Sequence, residues 1–350
     1  MASTAREQSD VAIGVIVVNW NNAADTLHCL ESLHAACPRP TRVVVVDNGS
    51  SDGSAARCGE WASQRALCFE EVDVDGELSR ETGGQPWLTI VNSGENFGFA
   101  GGNNLGLSLL QSEATLTHFL LLNNDAIVAP DYFAEMSAVL QSMPHAGLCI
   151  GTIFELPNRE RVWYAGGRMV PLRALVAHGV SIPTGADVVP TEFVTGCAMV
   201  IAREALQRVG MLAECYYPGY MEDAEYSLRV RQSGLALIYA PRAIVYHKVG
   251  TTFGARAMST LTAYHQSRHR LFFVRRNLRG TTRIAATVYM LLTKPIRAFL
   301  DALRGRPDIG WATLRGTIAG LFGALDGAAT PHMPTRRRES GVLAGDGAPR

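Results

Sequence analysis

Short apolar runs alternate with helix-patterned segments over the first two-thirds of this chain, and this alternation constrains the fold most. Val11–Val18 and Val43–Val46 are runs of strand length rich in β-branched residues, and Leu88–Val91 and Phe119–Leu122 repeat the pattern. Between the first two runs, Ala23–Ala36 carries leucines at helical spacing. Strands that are apolar on both faces and separated by helices predict a parallel sheet with helices on both sides. We therefore predict an α/β fold with a mostly parallel central sheet.

The pattern becomes less regular after Ile150. Phe193–Ala202 predicts a strand. Ala224–Ser233 predicts a helix that ends at Gly234, and Leu235–Tyr239 predicts a short strand. These segments extend the α/β pattern into the second half of the chain.

Polar residues follow two of the predicted strands directly. Asp47 follows Val43–Val46, and Asn124 and Asp125 follow Phe119–Leu122. In open α/β sheets, ligands bind beyond the carboxyl ends of the strands. An aspartate there can accept a hydrogen bond from a nucleotide base, and a carboxylate suits a hard cation such as Mg²⁺ or Mn²⁺. The alternative for both clusters is an ordinary turn or helix cap.

A second acidic cluster, Glu222-Asp223, opens the helix predicted from Ala224. A carboxylate in a cleft can take the proton of a substrate hydroxyl. Acidic residues also favour any helix N-terminus, because of the helix dipole. His247 follows another apolar run and is either a metal ligand or a packed histidine. A strand-end acid combined with a helix-start acid favours a group-transfer enzyme.

The segment Asn96–Gly106 is rich in glycine and precedes a helix predicted over Asn103–Leu110. Glycine loops before helices let backbone amides approach phosphate. The glycines do not follow the GxGxxG spacing, which argues against a dinucleotide-dependent dehydrogenase. The preceding segment, Glu70–Pro86, is rich in glycine and acidic residues and predicts a surface excursion.

Charge and cysteine content narrow the class further. The chain has 32 basic and 32 acidic residues. From Ala255 onward there are 16 basic and 5 acidic residues, so the chain before Ala255 has 16 basic and 27 acidic residues. A basic C-terminal region suggests contact with an anionic surface, either a membrane or nucleic acid. Seven cysteines without a CxxC pair favour reduced thiols, and the polar segment Met1–Asp10 does not resemble a signal peptide.

Taken in order, seven segments resemble family 2 glycosyltransferases with the GT-A fold, especially the rhamnosyltransferase-like and galactofuranosyltransferase-like branch. They are VIVVNWNN, VVVVDNGSSDGS, NFGFAGGNNLG, LLLNND, FVTGCAMVI, GYMEDAEYSLRVRQSG and PRAIVYHKVGTT, and they cover roughly Val11 to Thr252. The resemblance implies an inverting hexosyltransferase. Such an enzyme moves a sugar from a nucleotide-diphosphate donor to a hydroxyl of a glycan or polyprenyl-linked acceptor, by single displacement.

The resemblance also implies a role for each matched residue. Asp223 is the expected catalytic base, with Glu222 in support, and Asp125 and His247 are the expected ligands of Mn²⁺ or Mg²⁺. The expected donor-binding residues are Asn19, Asp47, Asn96, Gly102, Asn103 and Asn124. Among them, Asp47 is expected at the nucleotide base and Asn124 near the ribose.

Two segments depart from the family pattern. The triplet at Asp125 reads Asn-Asn-Asp, where many members have two acids or Asn-Pro-Asp, and this predicts a modest metal affinity. Leu212-Ala213-Glu214 replaces the Phe-Asp-Glu that usually precedes the Glu-Asp motif. Since this segment borders the acceptor in the family, the departure concerns acceptor choice.

L-Rhamnose from dTDP-rhamnose is the transferred sugar that the resemblance favours, and a UDP-hexose or UDP-galactofuranose donor is the alternative. A sugar-nucleotide pyrophosphorylase would share the layered fold, but VIVVNWNN lacks its glycine-rich, basic loop. A non-catalytic nucleotide-sugar or carbohydrate-binding protein would tolerate the loss of Asp125 and Asp223, and both are present.

We predict three regions along the chain. A GT-A domain covers residues 11–254, with a nucleotide-sugar half (11–130) and an acceptor and catalytic-base half (131–254). A basic helical region follows over residues 255–330, and residues 331–350 form a disordered tail.

The basic region carries two apolar features. Ile284–Leu292 is too short to span a bilayer. An apolar stripe at helical spacing comprises Leu314, Ile318, Leu321, Phe322 and Leu325. We expect a cytoplasmic protein that contacts the inner face of the cell membrane peripherally and has no nucleic-acid partner. The alternative is a helix packed on the catalytic domain or on a second subunit, and the sequence makes no prediction of oligomeric state.

Overall fold

The structure is a computed structural model that describes residues 11–81, 83–248 and 259–324. Its strands are β1 (Ile13–Asn19), β2 (Arg42–Asp47), β3 (Phe69–Asp73), β4 (Leu78–Glu81), β5 (Leu88–Asn92), β6 (His118–Asn123), β7 (Ala126–Val128), β8 (Ala146–Glu155), β9 (Val162–Tyr164), β10 (Gly167–Val170), β11 (Leu175–His178), β12 (Val189–Pro190), β13 (Ala198–Ala202) and β14 (Ala236–His247). Its α-helices are α1 (Ala23–Ala35), α2 (Ser54–Gln64), α3 (Gly98–Leu110), α4 (Tyr132–Ser142), α5 (Arg203–Val209), α6 (Glu222–Gln232), α7 (Thr260–Asn277), α8 (Gly280–Leu303) and α9 (Pro307–Phe322).

One mixed sheet organises the molecule. Its strand order is β12-β14-β8-β13-β6-β1-β2-β5-β3-β4, with β7 paired to β14 and β9 to β8. The block β6-β1-β2-β5-β3 is parallel, as is the pair β8-β14. β13 runs antiparallel between β6 and β8 and joins the two parallel parts. The predicted α/β fold with a mainly parallel central sheet is confirmed.

The central strands are buried on both faces, as their composition predicts. Val15–Val17 of β1 and Val43–Val46 of β2 have no exposed surface. A strand with this burial has to be covered on both sides, because alternate side chains point to opposite faces. Helices therefore flank the sheet, and the polar residues that end β1, β2 and β6 lie at one edge.

The glycine-rich segment forms a helix, where the sequence predicted a loop before one. α3 begins at Gly98 and includes the later glycines. A Cβ at Gly102 would lie 2.7 Å from Val18, and one at Gly106 would lie 2.5 Å from Ile16. These two glycines allow α3 to pack closely on β1, a common role of glycine where backbones approach.

The predicted strand Phe193–Ala202 is shorter in the structure, and β13 begins only at Ala198. The residues before it hydrogen-bond to helix α6. The Val194 N–H donates to the Ser227 hydroxyl at 3.1 Å, and the Gly196 N–H donates to the Asp223 carboxylate at 3.2 Å. Because these backbone groups are satisfied by side chains, they do not join the sheet.

Two further sequence predictions are corrected. The predicted surface excursion Glu70–Pro86 contains β3 and β4, and β3 is a strand of the main sheet. The predicted short strand Leu235–Tyr239 continues through Pro241 to His247 as β14. A register shift against β8 between Ala240 and Ile244 accommodates the proline.

The C-terminal helices include one that belongs to the main core. Leu271, Phe272 and Val274 of α7 have no exposed surface and pack in the same apolar core as the sheet. His269 of the same helix hydrogen-bonds through Nδ1 to the Gly219 carbonyl at 2.8 Å. α9 packs on α7 and α8 through a face of small residues. α8 also contacts the turn Pro171–Arg173 directly and contributes Ala286 and Met290 to the main core. The boundary predicted at residue 254 and the tail predicted over residues 331–350 lie outside the described residues.

Candidate active site

The carboxyl ends of β1, β2 and β6 bring the predicted donor residues together. Strand pairing places Asn19 opposite Asp47 and Val18 opposite Asn123. Asn124 is the next residue after Asn123. The two polar clusters predicted after separate strands are therefore neighbours, one on each side of Asn19.

Asn19 is the centre of a hydrogen-bond network. Its amide nitrogen donates to Asp47 Oδ1 at 2.9 Å and to the Ser50 hydroxyl at 3.0 Å. Its carbonyl oxygen accepts from the Thr26 hydroxyl at 2.7 Å and from Asn124 Nδ2 at 3.3 Å. Asn19 has no exposed surface with which to touch a ligand. Asn19 therefore orients Asp47 and Asn124, whereas the sequence analysis predicted a direct contact with the donor.

Asp47 is held from several directions at the end of β2. Ser50 donates a short hydrogen bond to its carboxylate, and the Ser93 hydroxyl donates to its backbone carbonyl at 2.9 Å. Trp20, the residue after Asn19, is 52% exposed. An oriented carboxylate at the end of β2 is suited to accept a hydrogen bond from a planar ligand such as a nucleotide base.

The other predicted donor residues lie on or next to the first turns of α3. Asn96 Oδ1 accepts from the Gly98 N–H at 2.8 Å, and Asn48 Nδ2 donates to the same oxygen at 3.1 Å. Asn103 donates to the Phe99 carbonyl at 2.8 Å within the helix. Gly102, by contrast, packs against β1. The structure therefore gives it a packing role, which differs from the predicted donor contact.

Asp125 and His247 come together although 122 positions separate them in the numbering. β7 pairs with β14 so that Ala126 lies opposite His247. His247 Nε2 is 3.1 Å from Asp125 Oδ1, and both residues are buried. Two ligands at about 2.1 Å from one cation, roughly at right angles, lie about 3 Å apart. The pair therefore fits a divalent cation.

The protonation of His247 reflects its neighbours. Burial lowers the pKa of His247, but the Cys197 sulfur and the Asp125 carboxylate outweigh burial and raise it to about 10. Without a metal ion the pair is a buried ion pair, and a cation bound there would displace the proton. Among the described residues, no group of three or more His, Cys, Asp or Glu side chains is arranged to hold a metal ion.

Asp223 lies in the first turn of α6 and is bonded from outside its own helix. Its Oδ2 accepts from the Gly196 N–H at 3.2 Å, and its Oδ1 accepts from the Ala224 N–H at 2.8 Å. Burial raises the pKa of Asp223 above its usual range, whereas these N–H groups and the Thr195 hydroxyl act in the opposite direction. The side chain is still partly exposed to solvent. A carboxylate that is oriented, accessible and of raised pKa is suited to act as a base.

Glu222 precedes Asp223 and is more deeply buried. Its Oε2 atom has no hydrogen-bond partner within the described part of the chain. Burial and repulsion from the Asp223 carboxylate raise the pKa of Glu222 well above its usual range. Two adjacent acids in one apolar environment resist double ionisation. Because the Gly196 and Ala224 N–H groups stabilise the ionised form of Asp223, ionisation of the pair is favoured at Asp223 over Glu222.

One short segment connects the Asp125–His247 pair to Asp223. The Asn123 N–H donates to the Cys197 carbonyl at 2.9 Å, and Gly196, the preceding residue, donates to Asp223. Asn123 is also two residues before Asp125. The two acidic clusters that the sequence separates by about a hundred residues thus border one region of the molecule.

Backbone conformation and packing also define the loop before the base. Tyr220 and Met221 both have positive φ, at 79° and 77°. Non-glycine residues rarely adopt this conformation, which costs on the order of 1–3 kcal/mol each. The loop is held by α3, whose Phe99 N–H donates to the Pro218 carbonyl at 2.9 Å.

The segment that departs from the family pattern has a defined anchor. Asn104 of α3 donates to the Leu212 carbonyl at 3.0 Å and to Glu214 Oε1 at 2.7 Å, and it accepts from the Leu212 N–H at 3.0 Å. Leu212-Ala213-Glu214 is therefore fixed to the donor-side helix.

Sequence analysis missed three residues that organise the site. Ser50 lies three residues after Asp47, and a hydroxyl so close to a strand-end acid was a usable signal. Thr195 lies inside a matched segment but far from Asp223 in the sequence, so no local pattern connects the two. Thr26 lies inside α1 at a helical position with no distinguishing pattern. Only the arrangement of α1 over the sheet edge brings it to Asn19 and Asn124.

Comparison with known proteins identifies the family. The model of glycosyltransferase-like family 2 matches residues 11–271. The chain is 25% identical over 272 residues to the N-acetylglucosaminyl-diphospho-decaprenol L-rhamnosyltransferase of Mycobacterium tuberculosis, covering 72% of this chain and 81% of that protein. It is 21% identical over 233 residues to the low-salt glycan biosynthesis hexosyltransferase Agl10 of Haloferax volcanii, covering 64% of this chain and 62% of that protein. The match thus spans less than two-thirds of the haloarchaeal protein.

Solved structures share the fold. A mannosyltransferase of Pyrobaculum calidifontis, in complex with GDP-Man and Mn²⁺, gives a TM-score of 0.52 at 17% identity, over 89% of this chain and 87% of that chain. GalNAc-T7 with UDP, GalNAc and Mn²⁺ gives a TM-score of 0.56 at 14% identity, over 75% of this chain and 48% of that chain. The chain belongs to glycosyltransferase family 2 and is a glycosyltransferase with the GT-A fold.

Proposed function

We propose that this enzyme is an inverting, metal-assisted hexosyltransferase that transfers L-rhamnose from dTDP-rhamnose to a hydroxyl of a lipid-linked glycan in the synthesis of cell-surface polysaccharide. The observation that carries the proposal is the pairing of Asp125 with His247 beside the segment that hydrogen-bonds to Asp223. A charge-neutralising site and a base are the two functions that single displacement requires.

The polar edge of β1 and β2 is the proposed donor site. Asp47, oriented by Asn19 and Ser50, would accept a hydrogen bond from the nucleotide base, and Asn124 would face the ribose. The N-terminus of α3 begins beside this edge, and the positive end of the helix dipole favours an anion such as a diphosphate there. These features support a nucleoside-diphosphate sugar as donor.

Asp125 and His247 are the proposed metal ligands. Their separation of 3.1 Å fits two ligands of one cation, and Mn²⁺ is present in both structural relatives. A bound Mn²⁺ or Mg²⁺ would neutralise charge that develops on the leaving diphosphate. Oxygens of the donor diphosphate would share the coordination, since within the described ranges no third His, Cys, Asp or Glu joins this pair.

Asp223 is the proposed base. The acceptor hydroxyl oxygen forms a bond to the anomeric carbon while the bond from that carbon to the diphosphate oxygen breaks. The hydroxyl proton passes to Asp223, and the nucleoside diphosphate leaves. Glu222, protonated beside it, keeps the charge on Asp223 and so supports proton transfer.

The choice of sugar and acceptor rests on the relatives. The mycobacterial relative is named as a rhamnosyltransferase acting on a diphospho-decaprenol-linked acceptor, and this favours rhamnose and a polyprenyl-linked glycan. The second candidate is a UDP-hexose or UDP-galactofuranose donor, since the haloarchaeal relative is a hexosyltransferase. A polyprenyl-linked acceptor would place the enzyme at the cytoplasmic face of the membrane.

The test is donor turnover by purified full-length protein with Mn²⁺. We expect slow hydrolysis of dTDP-rhamnose, and faster turnover when an N-acetylglucosaminyl-diphospho-polyprenol is added. Faster hydrolysis of a UDP-hexose or UDP-galactofuranose would assign the second candidate. Donor binding is measured by calorimetry. If the donor binds but is neither hydrolysed nor transferred, the protein is a non-catalytic nucleotide-sugar binder and the proposal is refuted.

A further inference from the structure

Helix α8 exposes an apolar face along its whole length. The residues of this face are Ile284, Val288, Leu292, Ile296, Phe299 and Leu303. They recur every three or four residues, so they lie on one side of the helix. Each is at least 48% exposed, and Leu303 is 69% exposed. Single exposed apolar residues are ordinary, but a continuous face of this kind marks a contact surface.

Helix α9 does not cover this face. It packs on its neighbours through glycines: a Cβ at Gly310 would lie 2.5 Å from the Ala298 carbonyl, and one at Gly316 would lie 2.2 Å from the Tyr264 carbonyl. Leu325 of the apolar stripe predicted from the sequence lies outside the described residues, and the other four residues lie on α9, where the stripe is only partly exposed. Ile318 and Phe322 face solvent, whereas Leu314 and Leu321 are half-buried.

Basic residues accompany the apolar face. Arg279 and Arg283 are exposed at the start of α8, and Arg297 and Arg304 are exposed towards its end. From residue 279 to residue 322 there are seven basic and two acidic residues. One of the two acids, Asp301, is buried and pairs with Arg297 at 3.0 Å. The surface around the apolar face is therefore positively charged.

We propose that this face of α8 docks on an anionic lipid surface and lies in the plane of the membrane interface. An apolar helix face with flanking arginines is the chemistry that inserts between acyl chains while the cations contact lipid phosphates. None of the helices in the described residues is long and apolar enough to cross a bilayer. A two-fold contact between copies is disfavoured, because it would bring the arginines at one end of α8 towards those at the other end of its partner.

The inference deepens the proposed function, since it places the base side of the site towards lipid. An apolar cleft between the β10–β11 hairpin and α7 is lined by Met169, Leu175, Val176, Met221, Phe273 and Leu278. Met221 is the residue before Glu222, and the guanidinium of Arg173, just before β11, lies over the Tyr289 ring of α8 at 6.0 Å. Docking through α8 would bring this cleft near the membrane, where a polyprenyl-linked acceptor resides.

The test is co-sedimentation of the full-length protein with vesicles. One vesicle set contains equal parts of phosphatidylglycerol and phosphatidylcholine, and the other contains phosphatidylcholine alone. We expect binding to the anionic set, weakened by high salt. Leu292→Gln with Phe299→Gln is expected to lower the partition coefficient by at least about tenfold. Each of these exposed side chains contributes favourable binding free energy when it is buried among the acyl chains. Arg279→Gln with Arg283→Gln is expected to lower the partition coefficient by a similar factor, but on anionic vesicles only.

The matched control is Leu78→Gln with Val180→Gln, which replaces two exposed apolar residues away from α8 and adds no charge. We expect it to sediment like the unmodified protein. The proposal is overturned if the unmodified protein does not sediment, or if the Leu292/Phe299 variant sediments equally well. It is also overturned if light scattering shows a dimer that this variant converts to monomer, because the face would then join two copies. Donor hydrolysis is measured on every variant, so failure of the docking surface is distinguished from failure of the proposed function.

Discussion

At the residue scale, the site depends on how neighbouring acids share one charge. Glu222 and Asp223 are adjacent and both have raised pKa values, but only Asp223 receives hydrogen bonds from Gly196 and Ala224. Donors that point at a carboxylate stabilise its ionised form. We therefore expect the pair to divide its roles, with Asp223 as the proposed base and Glu222 as a neutral neighbour.

Replacing Asp223 with Asn tests the base directly. We expect sugar transfer to fall by roughly 10²-fold or more, because general-base catalysis contributes on that scale. Donor binding, measured by calorimetry, should change little. In the unmodified enzyme, the transfer rate should rise with pH through a pKa above the ordinary aspartate value of 3.8. Asp131→Asn is the control, since Asp131 also begins a helix and is exposed. Near-normal transfer by the Asp223 variant would contradict the base role and would show that Asp223 only stabilises the N-terminus of α6.

Replacing Glu222 with Gln tests the buried acid through stability. Because the folded pKa of Glu222 lies above its unfolded value near 4.5, the folded state binds more protons between these two pH values. The contribution of Glu222 to the free energy of unfolding is therefore most favourable at low pH, and it is lost as the pH rises through the folded pKa. We expect Glu222→Gln to flatten this decline and to stabilise the protein at neutral pH. Urea unfolding at several pH values measures the free energy of unfolding. Glu60→Gln is the control, because Glu60 is exposed. An unchanged pH dependence would contradict the raised pKa.

Replacing either proposed metal ligand tests the cation site. Even residues that only orient metal ligands cost 10- to 100-fold in affinity when removed, so we expect Asp125→Ala and His247→Ala to weaken Mn²⁺ binding by at least about tenfold. Asp125 should matter more, because it supplies the charged oxygen. Binding is measured calorimetrically in the presence of a nucleoside diphosphate, with the exposed His145→Gln as control. If both variants bind Mn²⁺ normally, the site lies elsewhere.

At the element scale, close packing of α3 on β1 is what positions the polar edge. Gly102 and Gly106 let the helix approach the strand, and the N-terminal turn of α3 then meets Asn48 and the loop before the base. A sequence rich in glycine predicted a flexible phosphate loop, yet the same glycines serve a helix–sheet contact. Since glycine supports both, the pattern alone did not distinguish them.

Gly106→Ala tests this packing. Alanine is the better helix former by about 1 kcal/mol, but its Cβ would lie 2.5 Å from Ile16 in the buried sheet. Overpacking typically costs about 1–3 kcal/mol, so after the gain in helix propensity we expect a net loss of up to about 2 kcal/mol in the free energy of unfolding. Gly59→Ala in α2 is the control, because its nearest neighbour is the end of the flexible Glu71 side chain. Equal effects of the two substitutions would show that α3 can move away from β1.

At the scale of the whole molecule, α7 unites the catalytic sheet with the C-terminal helices. Its buried face shares the core of the sheet, His269 bonds to the loop before the base, and its other side receives α9. The C-terminal helices are therefore connected, through α7, with the loop that precedes Asp223.

The sequence by itself determined the fold class and the family. Runs such as Val43–Val46 must be buried on both faces, and the polar clusters after them must then lie at one sheet edge, because parallel strands end together. This local periodicity needs no knowledge of distant contacts. The clustering of Asp47 with Asn124 follows from the same reasoning.

Only the tertiary structure decided which groups within those motifs touch. The approach of His247 to Asp125 depends on β7 pairing with β14, and the Gly196 bond to Asp223 depends on a segment that leaves the sheet. Burial of Asn19, which turned a predicted ligand contact into a residue that orients others, depends on α1 covering the strand ends. The exposed face of α8 likewise depends on α9 packing through its glycines. Each of these is a long-range packing outcome, and residues far apart in the chain leave no local pattern that records it.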